Sequence, residues 1–557
     1  MRIVQTLSTP ALCALLLGAL EPGVASAQLN EPPPPAAYAL TGVTIMSADG
    51  APRANVTIVI RGGLIEAIGG DIQVPPDAEL LEGDSLMVYS GIIDAQGEAS
   101  VEFPEADADR SDLAFWAPPR EAQGLTPHRR AADYLTDTGE DFEQQRRSGI
   151  VGAAILPDGP LMPGRGLVLL LRKGAETPAG LVLVPELGPS MALRGARGMY
   201  PSTVFGAVAV IRQSLEDARH HGLLLAAHER DPRGMKAPAW DPDWDVLREA
   251  MAGQVRVFFR ADEAADIRTV LAMAREYELR PVIVGGAEAW KVADELLALE
   301  VPVLVSLDFP EPERWEPKET SDTAAQAEPL DAAAAREKQN LEERYANAAR
   351  LAQVGVTFAL TSGGGEADLL EGARKSIEYG LAEAQALAAL TAVPASLFGV
   401  EYVVRIESGM PASLVVTDGP LFGEDTKILY TFVEGELERG KKAKKPGEEP
   451  TVDVTGTWTI SIDLGGEILR GTMNLTQEGA EFSGTMELDV GTVRVREGLV
   501  SGNEVTFETV YEDVGQTATS EVTGTVEGDE AGGSGRGEGG RFTWKATRSG
   551  PPQEVLR

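Results

Sequence analysis

Between Met87 and Leu390 the chain alternates short runs of consecutive apolar residues with longer Ala/Leu/Glu-rich stretches of helical periodicity. The clear apolar runs are Gly149 to Leu156, Val255 to Phe259, Pro281 to Val284, Val301 to Leu307 and Val356 to Leu360. Ala264 to Tyr277 and Glu288 to Leu299 are the clear helical patterns between them. A strand without polar alternation is covered on both faces, and a helix between two such strands is a crossover. The pattern therefore predicts an α/β fold with a parallel sheet flanked by helices. Roughly 300 residues of this texture suit a (β/α)8 TIM-like barrel with insertions, with a doubly wound open sheet as the competitor. No Gly-x-Gly-x-x-Gly opens a helix after the first strand, which argues against a dinucleotide fold.

The flanks have a different texture. Val43 to Met46, Val56 to Ile60 and Leu64 to Ile68 read as short strands between Gly- and Pro-containing turns, and strand character returns at Ser413 to Thr417 and Ile428 to Glu434. Beyond Val452 the chain reads as all-β, with Gly-Thr units at Gly456-Thr457, Gly471-Thr472, Gly484-Thr485 and Gly524-Thr525 that each introduce an alternating run. Seven or eight such strands fit a small barrel or sandwich. Gly528 to Gly540 is expected to be a flexible loop before a last strand, Arg541 to Thr547. Glu311 to Glu343 is acidic and Ala-rich, and is expected to be a loop leading into a solvated helix, as an insertion rather than a lid.

At the start, Arg2, a short apolar stretch and Val24-Ala25-Ser26-Ala27-Gln28 predict an export signal cut after Ala27, hence a periplasmic or extracellular protein. The expected layout is a signal peptide (1–27), a Pro-rich spacer (28–37), a β-sandwich from 38–88 and 400–438, a barrel (89–399), a basic linker (439–451) and a C-terminal β-barrel (452–557). The formal charge of −37, from 86 acidic and 49 basic side chains, repels phosphate, so nucleic acid and anionic membranes are poor candidates as partners. No later segment reaches about 18 uninterrupted apolar residues, so no membrane span is expected. The single cysteine, Cys13, lies in the signal, which removes disulfides, thiolate zinc sites and cysteine nucleophiles. Four histidines suffice for one metal site only if they are suitably placed.

Three stretches resemble the amidohydrolase superfamily, in particular its exported, imidazolonepropionase-type members. Tyr89-Ser90-Gly91-Ile92-Ile93-Asp94-Ala95-Gln96-Gly97-Glu98 is similar to the family's Pro-Gly-x-Ile-Asp-x-His-x-His, Leu387 to Gly399 to the helix after its last barrel strand, and Glu407 to Val416 to the return into its β-layer. The resemblance implies a β-sandwich made by both ends of the domain, flanking a barrel that hydrolyses carbon–nitrogen bonds with metal-activated water. Such chemistry needs imidazoles and carboxylates at the C-terminal mouth of the barrel.

Here the His-x-His positions read Gln96 and Glu98, the later histidine positions fall on Arg260 and Gly285, and the catalytic Asp falls on Gly363, with Ser362 as the next register. Asp94 is retained, in a structural or a chemical role. His128 is expected in a loop, His220 and His221 at the end of a helix from Val208 to Arg219, and His228 in a loop; none lies at a strand end. No cofactor is expected, and a divalent metal such as zinc only if a non-standard site exists. The barrel-mouth candidates are Gln96, Glu98, Arg260, Asp262, Asp308 and Ser362, together with Glu288 and Glu366, and a Glu98–Arg260 ion pair is expected where the metal would lie. The Gly-rich Thr361-Ser362-Gly363-Gly364-Gly365 is a weak candidate for holding an anion.

Two functions follow. One is a degenerate barrel that binds a small molecule or a protein; the other is a hydrolase with a non-standard carboxylate site at Glu98, aided by Asp94. An oligomer or an intact paralogue is a possible partner. The Gly456-Thr457-Trp458 start of the last domain resembles lipocalin-like proteins, with Trp458 expected in the core ahead of any ligand-contact role.

Overall fold

The computed structural model describes residues 37–47, 50–81, 86–104, 114–310, 332–365, 367–424, 426–440, 450–463, 468–488, 491–513, 516–537 and 540–550. The predicted signal with Cys13, most of the spacer and of the 311–343 insertion, Glu366 and the basic cluster lie outside them. The chain divides into two compact units, Met1–Gly440 and Lys441–Arg557.

The first unit begins with β1 (Ala37–Ile45), β2 (Arg53–Arg61), β3 (Leu64–Gly69), β4 (Ala78–Leu81) and β5 (Met87–Ser90). Gly62 and Gly63, both at positive φ, make the two-residue turn between β2 and β3, a turn whose twist matches that of the strands. β1 pairs in parallel with β4 along its first half and with β5 at its end. β5 then pairs with β16 (Leu414–Thr417), and β17 (Ile428–Val433) and β18 (Glu436–Arg439) follow, so both ends of the unit share one eight-stranded sheet. The layer expected as a sandwich is thus hydrogen-bonded throughout and branched at β1. Leu40, Ile58, Val88, Leu414 and Phe432 form its core.

β6 (Ile92–Asp94) follows β5 directly. Gly91 sits at the junction because a Cβ there would collide with Val151. β6 lies parallel to β7 (Ile150–Ile155), β9 (Leu167–Leu170) pairs antiparallel with β7, and β10 (Val182–Val184) pairs antiparallel with β9. A second sheet runs β15-β14-β13-β12-β11-β8: β11 (Pro189–Ala192), β12 (Arg256–Ala261), β13 (Arg280–Gly285), β14 (Val303–Ser306) and β15 (Phe358–Thr361) are parallel, and β8 (Leu161–Arg165) is antiparallel at the edge.

Four of the apolar runs, from Val255 to Leu360, are therefore parallel strands of this sheet, and Gly149 to Leu156 is β7 of the other; β8 to β11 were not visible in that pattern. Alternate residues separate into two cores. Val257, Phe259, Ile283, Val303 and Leu360 pack with the helices, whereas Phe258, Val282, Val284, Leu304 and Ala359 join Ile93, Ala95, Val168 and Leu170 of the other sheet. Both sheets thus bury one face in a common interior.

Helix Ala264–Tyr277 is as expected, ending on Glu278 in the left-handed conformation. The helix expected to end at Arg219 instead runs Val204–Arg230, which places His228 on a helix rather than in a loop. Glu288 to Leu299 breaks into a 3-10 turn, Ala289–Val292, and a short helix, Ala293–Ala298. Among the described residues no helix is long and apolar enough to cross a membrane.

The second unit is a closed, fully antiparallel barrel of β19 (Gly456–Asp463), β20 (Ile468–Glu478), β21 (Glu481–Leu488), β22 (Gly491–Ser501), β23 (Glu504–Asp513), β24 (Gln516–Glu527), β25 (Glu530–Gly537) and β26 (Gly540–Gly550). β26 returns to pair with β19. The expected loop at Gly528 to Gly540 is corrected: it carries β25. Glycine weakens a strand on its own, but a barrel supplies hydrogen-bonding neighbours on both sides, and a Cβ at Gly535 would collide with the ring of Phe542. Trp458 lies in the core, 1% exposed, with Nε1 donating to the Val454 carbonyl at 2.8 Å.

Candidate functional site

The C-terminal ends of β6 and β15 meet at Asp94. This carboxylate is 3% exposed and accepts four hydrogen bonds: from Ser362 Oγ to Oδ2 (2.5 Å), and to Oδ1 from Thr361 Oγ1 (2.7 Å), Gln96 N (3.1 Å) and Ser362 N (3.2 Å). Burial pushes its pKa above the ordinary carboxylate value, against the pull of these donors, the Ser362 and Thr361 hydroxyls foremost. The Gln96 carbonyl oxygen accepts from Gly364 N (2.8 Å) and lies within reach of the same two hydroxyls, Thr361 Oγ1 (2.7 Å) and Ser362 Oγ (3.2 Å), whose single protons it shares with Asp94. Gly363 and Gly364, at φ +81° and +80°, allow this close turn: a Cβ at Gly363 would lie 2.5 Å from Ser306 Oγ. The weak expectation of an anion cradle here does not hold, because Gly363 N donates to Thr361 Oγ1 (3.1 Å) and Gly364 N is taken by Gln96. Gln96 Oε1 is buried without a partner among the described residues.

A second cluster lies on the inner face at the end of β12. Arg260, in alternation with inward Phe258, places Nε 3.0 Å from Asp158 Oδ1, and Asp158 also accepts from Arg194 Nη2 at 2.6 Å. The expected Glu98–Arg260 pair is therefore corrected: Arg260 is paired with Asp158, and Glu98 is exposed. Burial pushes the Asp158 carboxyl up, but the hydrogen bond from Arg194 and the charge of Arg260 together outweigh it and hold the group below the ordinary carboxylate value. The cavity beside this pair, lined by Leu156, Asp158, Pro163, Ser190, Phe258 and Arg260 among others, measures about 10 Å³, which is room for roughly one water. Ser190 Oγ is buried there without a partner among the described residues.

A model of the amidohydrolase family matches residues 303–438, the stretch from β14 through the return into the β-layer. Among solved structures, an amidohydrolase from Thermotoga maritima MSB8 superposes with a TM-score of 0.56 at 22% identity, over 72% of this chain and 99% of its own. The chain is thus similar to the amidohydrolase family in sequence over residues 303–438, and to an amidohydrolase in fold. A prolidase complexed with N-methylphosphonate-L-proline (TM-score 0.40, 17% identity, 73% of this chain and 100% of that one) and A. niger ochratoxinase (0.41, 12%, 74% and 97%) are more distant matches. No curated protein matches the sequence.

Amidohydrolases typically hold divalent metal at the strand ends, and the residues present here do not fit one. The aligned positions offer an amide (Gln96), one exposed carboxylate (Glu98), a permanent cation (Arg260) and two glycines (Gly285, Gly363). A guanidinium beside a would-be metal repels it, and a glycine supplies no donor atom. Among the described residues, no three His, Cys, Asp or Glu side chains gather in a way that could hold a metal ion.

The other candidates scatter. Asp262 is exposed and stands against Gly285, where a Cβ would collide with its Oδ1. Glu288 caps Ala264 N (3.1 Å) and pairs with Lys291 (2.6 Å); this pairing, more than the cap, lowers its pKa. Asp308 is exposed beside Gly363. His128 Nδ1 lies 2.5 Å from Asp243 Oδ1, and His221 Nε2 lies 2.8 Å from the Ala239 carbonyl. Asp94, Gln96 and Ser362 are thus brought together, Arg260 pairs elsewhere, Asp158 and Arg194 were missed from sequence, and Thr361 was singled out only as part of the Gly-rich run. An acidic residue just after the strand at Gly149 to Leu156 was the available signal for Asp158.

Proposed function

We propose that this chain is an exported amidohydrolase-superfamily protein whose first unit is a (β/α)8-type barrel that has lost metal-dependent hydrolysis of carbon–nitrogen bonds and is retained as a binding module. The observation that carries the reading is the Arg260–Asp158 pair on the inner face at the strand ends, with about 10 Å³ of space beside it. A salt bridge occupies the position where the superfamily's chemistry needs donors and an open coordination place. The barrel form is supported by the interior common to both sheets and by the Asp94 and Gln96 bonds linking β6, the first parallel strand, to the end of β15, the last. Asp94 then acts as a clamp between strands rather than as a proton carrier, since all its near donors belong to the fold. Nothing in the geometry favours the alternative hydrolase centred on Glu98.

The test is elemental analysis of full-length protein produced with added zinc and manganese, together with hydrolysis assays on an Xaa-Pro dipeptide and an N-acyl amino acid. The expected result is substoichiometric metal and no turnover. Stoichiometric metal with turnover, both lost in Glu98→Gln, would overturn the proposal. Export predicts a mature N-terminus at Gln28, readable by terminal sequencing.

A further inference from the structure

The C-terminal barrel is filled unevenly. Toward the end where the chain enters, Trp458, Phe482, Val500, Val505 and Val526 pack with Val454 into a continuous core. In the other half, near Ile462, Leu488, Val493 and Tyr511, a cavity of about 190 Å³ remains. An eight-stranded barrel is at the size where side chains either fill the interior or leave space for one small ligand. Here the difference comes from β24 and β25. Gly524 lies where a Cβ would press on the Trp544 ring, and Gly535 where it would collide with Phe542, so these strands contribute little volume.

The lining defines the guest. It contains no charged residue, and most of it is apolar, including Met486, Phe507, Val522 and Trp544. Phe507 and Trp544 meet edge to face at 5.8 Å, an arrangement that a further aromatic ring extends. The hydroxyl-bearing lining residues, Thr509, Tyr511 and Ser520, are confined to β23 and β24, with Thr509 directly opposite Ser520. An apolar cavity of roughly 150 Å³ accepts a benzene ring, so this one suits a single ring with a small substituent. We infer that the barrel is a binding site for a small neutral aromatic molecule carrying one hydrogen-bonding group, of the phenol class, with the ring against Phe507 and Trp544 and its polar group toward Thr509 and Ser520. The inference is independent of the barrel-mouth reading of the first unit and survives its failure.

The experiment uses the full-length chain and p-cresol as probe, followed by calorimetric titration and saturation-transfer NMR, with toluene and 4-methylbenzoate as comparisons. The expected result is saturable one-to-one binding of p-cresol, stronger than toluene and much stronger than the carboxylate. Val522→Trp, which fills the cavity, is expected to weaken binding at least about tenfold. If that variant does not fold, Phe542→Ala is the second: by enlarging the space it should shift preference toward 2-naphthol. Ser520→Ala with Thr509→Val should reduce the advantage of p-cresol over toluene. Absence of saturable binding by p-cresol and toluene, binding unchanged in both cavity variants, or preference for 4-methylbenzoate would each overturn the inference.

Discussion

Asp94 and Asp158 are two carboxylates with opposite electrostatic histories, and each has a measurable consequence. Asp94→Ala would leave the Gln96 and Ser362 amide N–H groups without their acceptor, at about 1–3 kcal/mol each, and would leave the Thr361 and Ser362 hydroxyls only the Gln96 carbonyl to share. A loss of at least about 3 kcal/mol in denaturant unfolding is expected, with Asp94→Asn costing less because one acceptor oxygen remains. The pH signatures follow from the directions of the shifts. The pKa of Asp94 is raised in the folded protein, so its contribution is fully present below the ordinary carboxylate value and is lost as pH rises through the raised one. That of Asp158 is lowered, so its contribution is present above about pH 4 and is lost as pH falls through the lower folded value. Unfolding measured across the acid range should therefore lose part of its acid-side decline in Asp158→Asn and not in Asp94→Asn.

Strand ends and their turns decide what these residues can do. At the end of β13, Gly285 has φ +96° and faces Asp262, so any side chain there meets both backbone strain and a collision. Gly285→Ala is expected to destabilise the first unit by about 1–3 kcal/mol, read as a lower thermal midpoint. For the same reason, replacing only Arg260 by His should not create a metal site, and zinc titration of Arg260→His should show no tight binding. The parallel strands and the helix Ala264–Tyr277 were readable because their burial is uniform over several residues and leaves a periodic imprint. β8 to β11 were not, since they are short and share their apolar composition with neighbouring loops. β25 was missed for a different reason: its glycines carry the signature of a turn, and only partners on both edges make them a strand.

Each unit has its own hydrophobic core, and the core of the C-terminal barrel draws only on residues from Val452 onward. Cooperativity follows shared cores, so scanning calorimetry of the full chain should show two transitions, and a chain ending at Gly440 should retain only one of them. A single transition in which both units melt together would contradict this. Within the first unit both ends of the chain are needed, because β16 to β18 complete the sheet begun by β1 to β5. The buried pair of Arg146 with Glu438 at 3.0 Å ties the segment before β7 to the last strand of that layer. Glu438→Ala would leave the Arg146 guanidinium buried without its counter-charge, and a cost of about 3–5 kcal/mol is expected in denaturant unfolding.

By itself the sequence determined the α/β texture, the all-β C-terminal region, the resemblance to amidohydrolases and the absence of histidine from the positions where that family's ligands would fall. These are properties of spacing and side-chain type, which a linear pattern records. The tertiary structure alone decided that Arg260 pairs with Asp158 rather than Glu98, that Asp94 clamps β6 to β15, and that the last barrel is hollow in one half. Each of these depends on which residues, distant in sequence, arrive within a few ångströms of one another. That outcome is set by packing, and side-chain identity alone does not encode it.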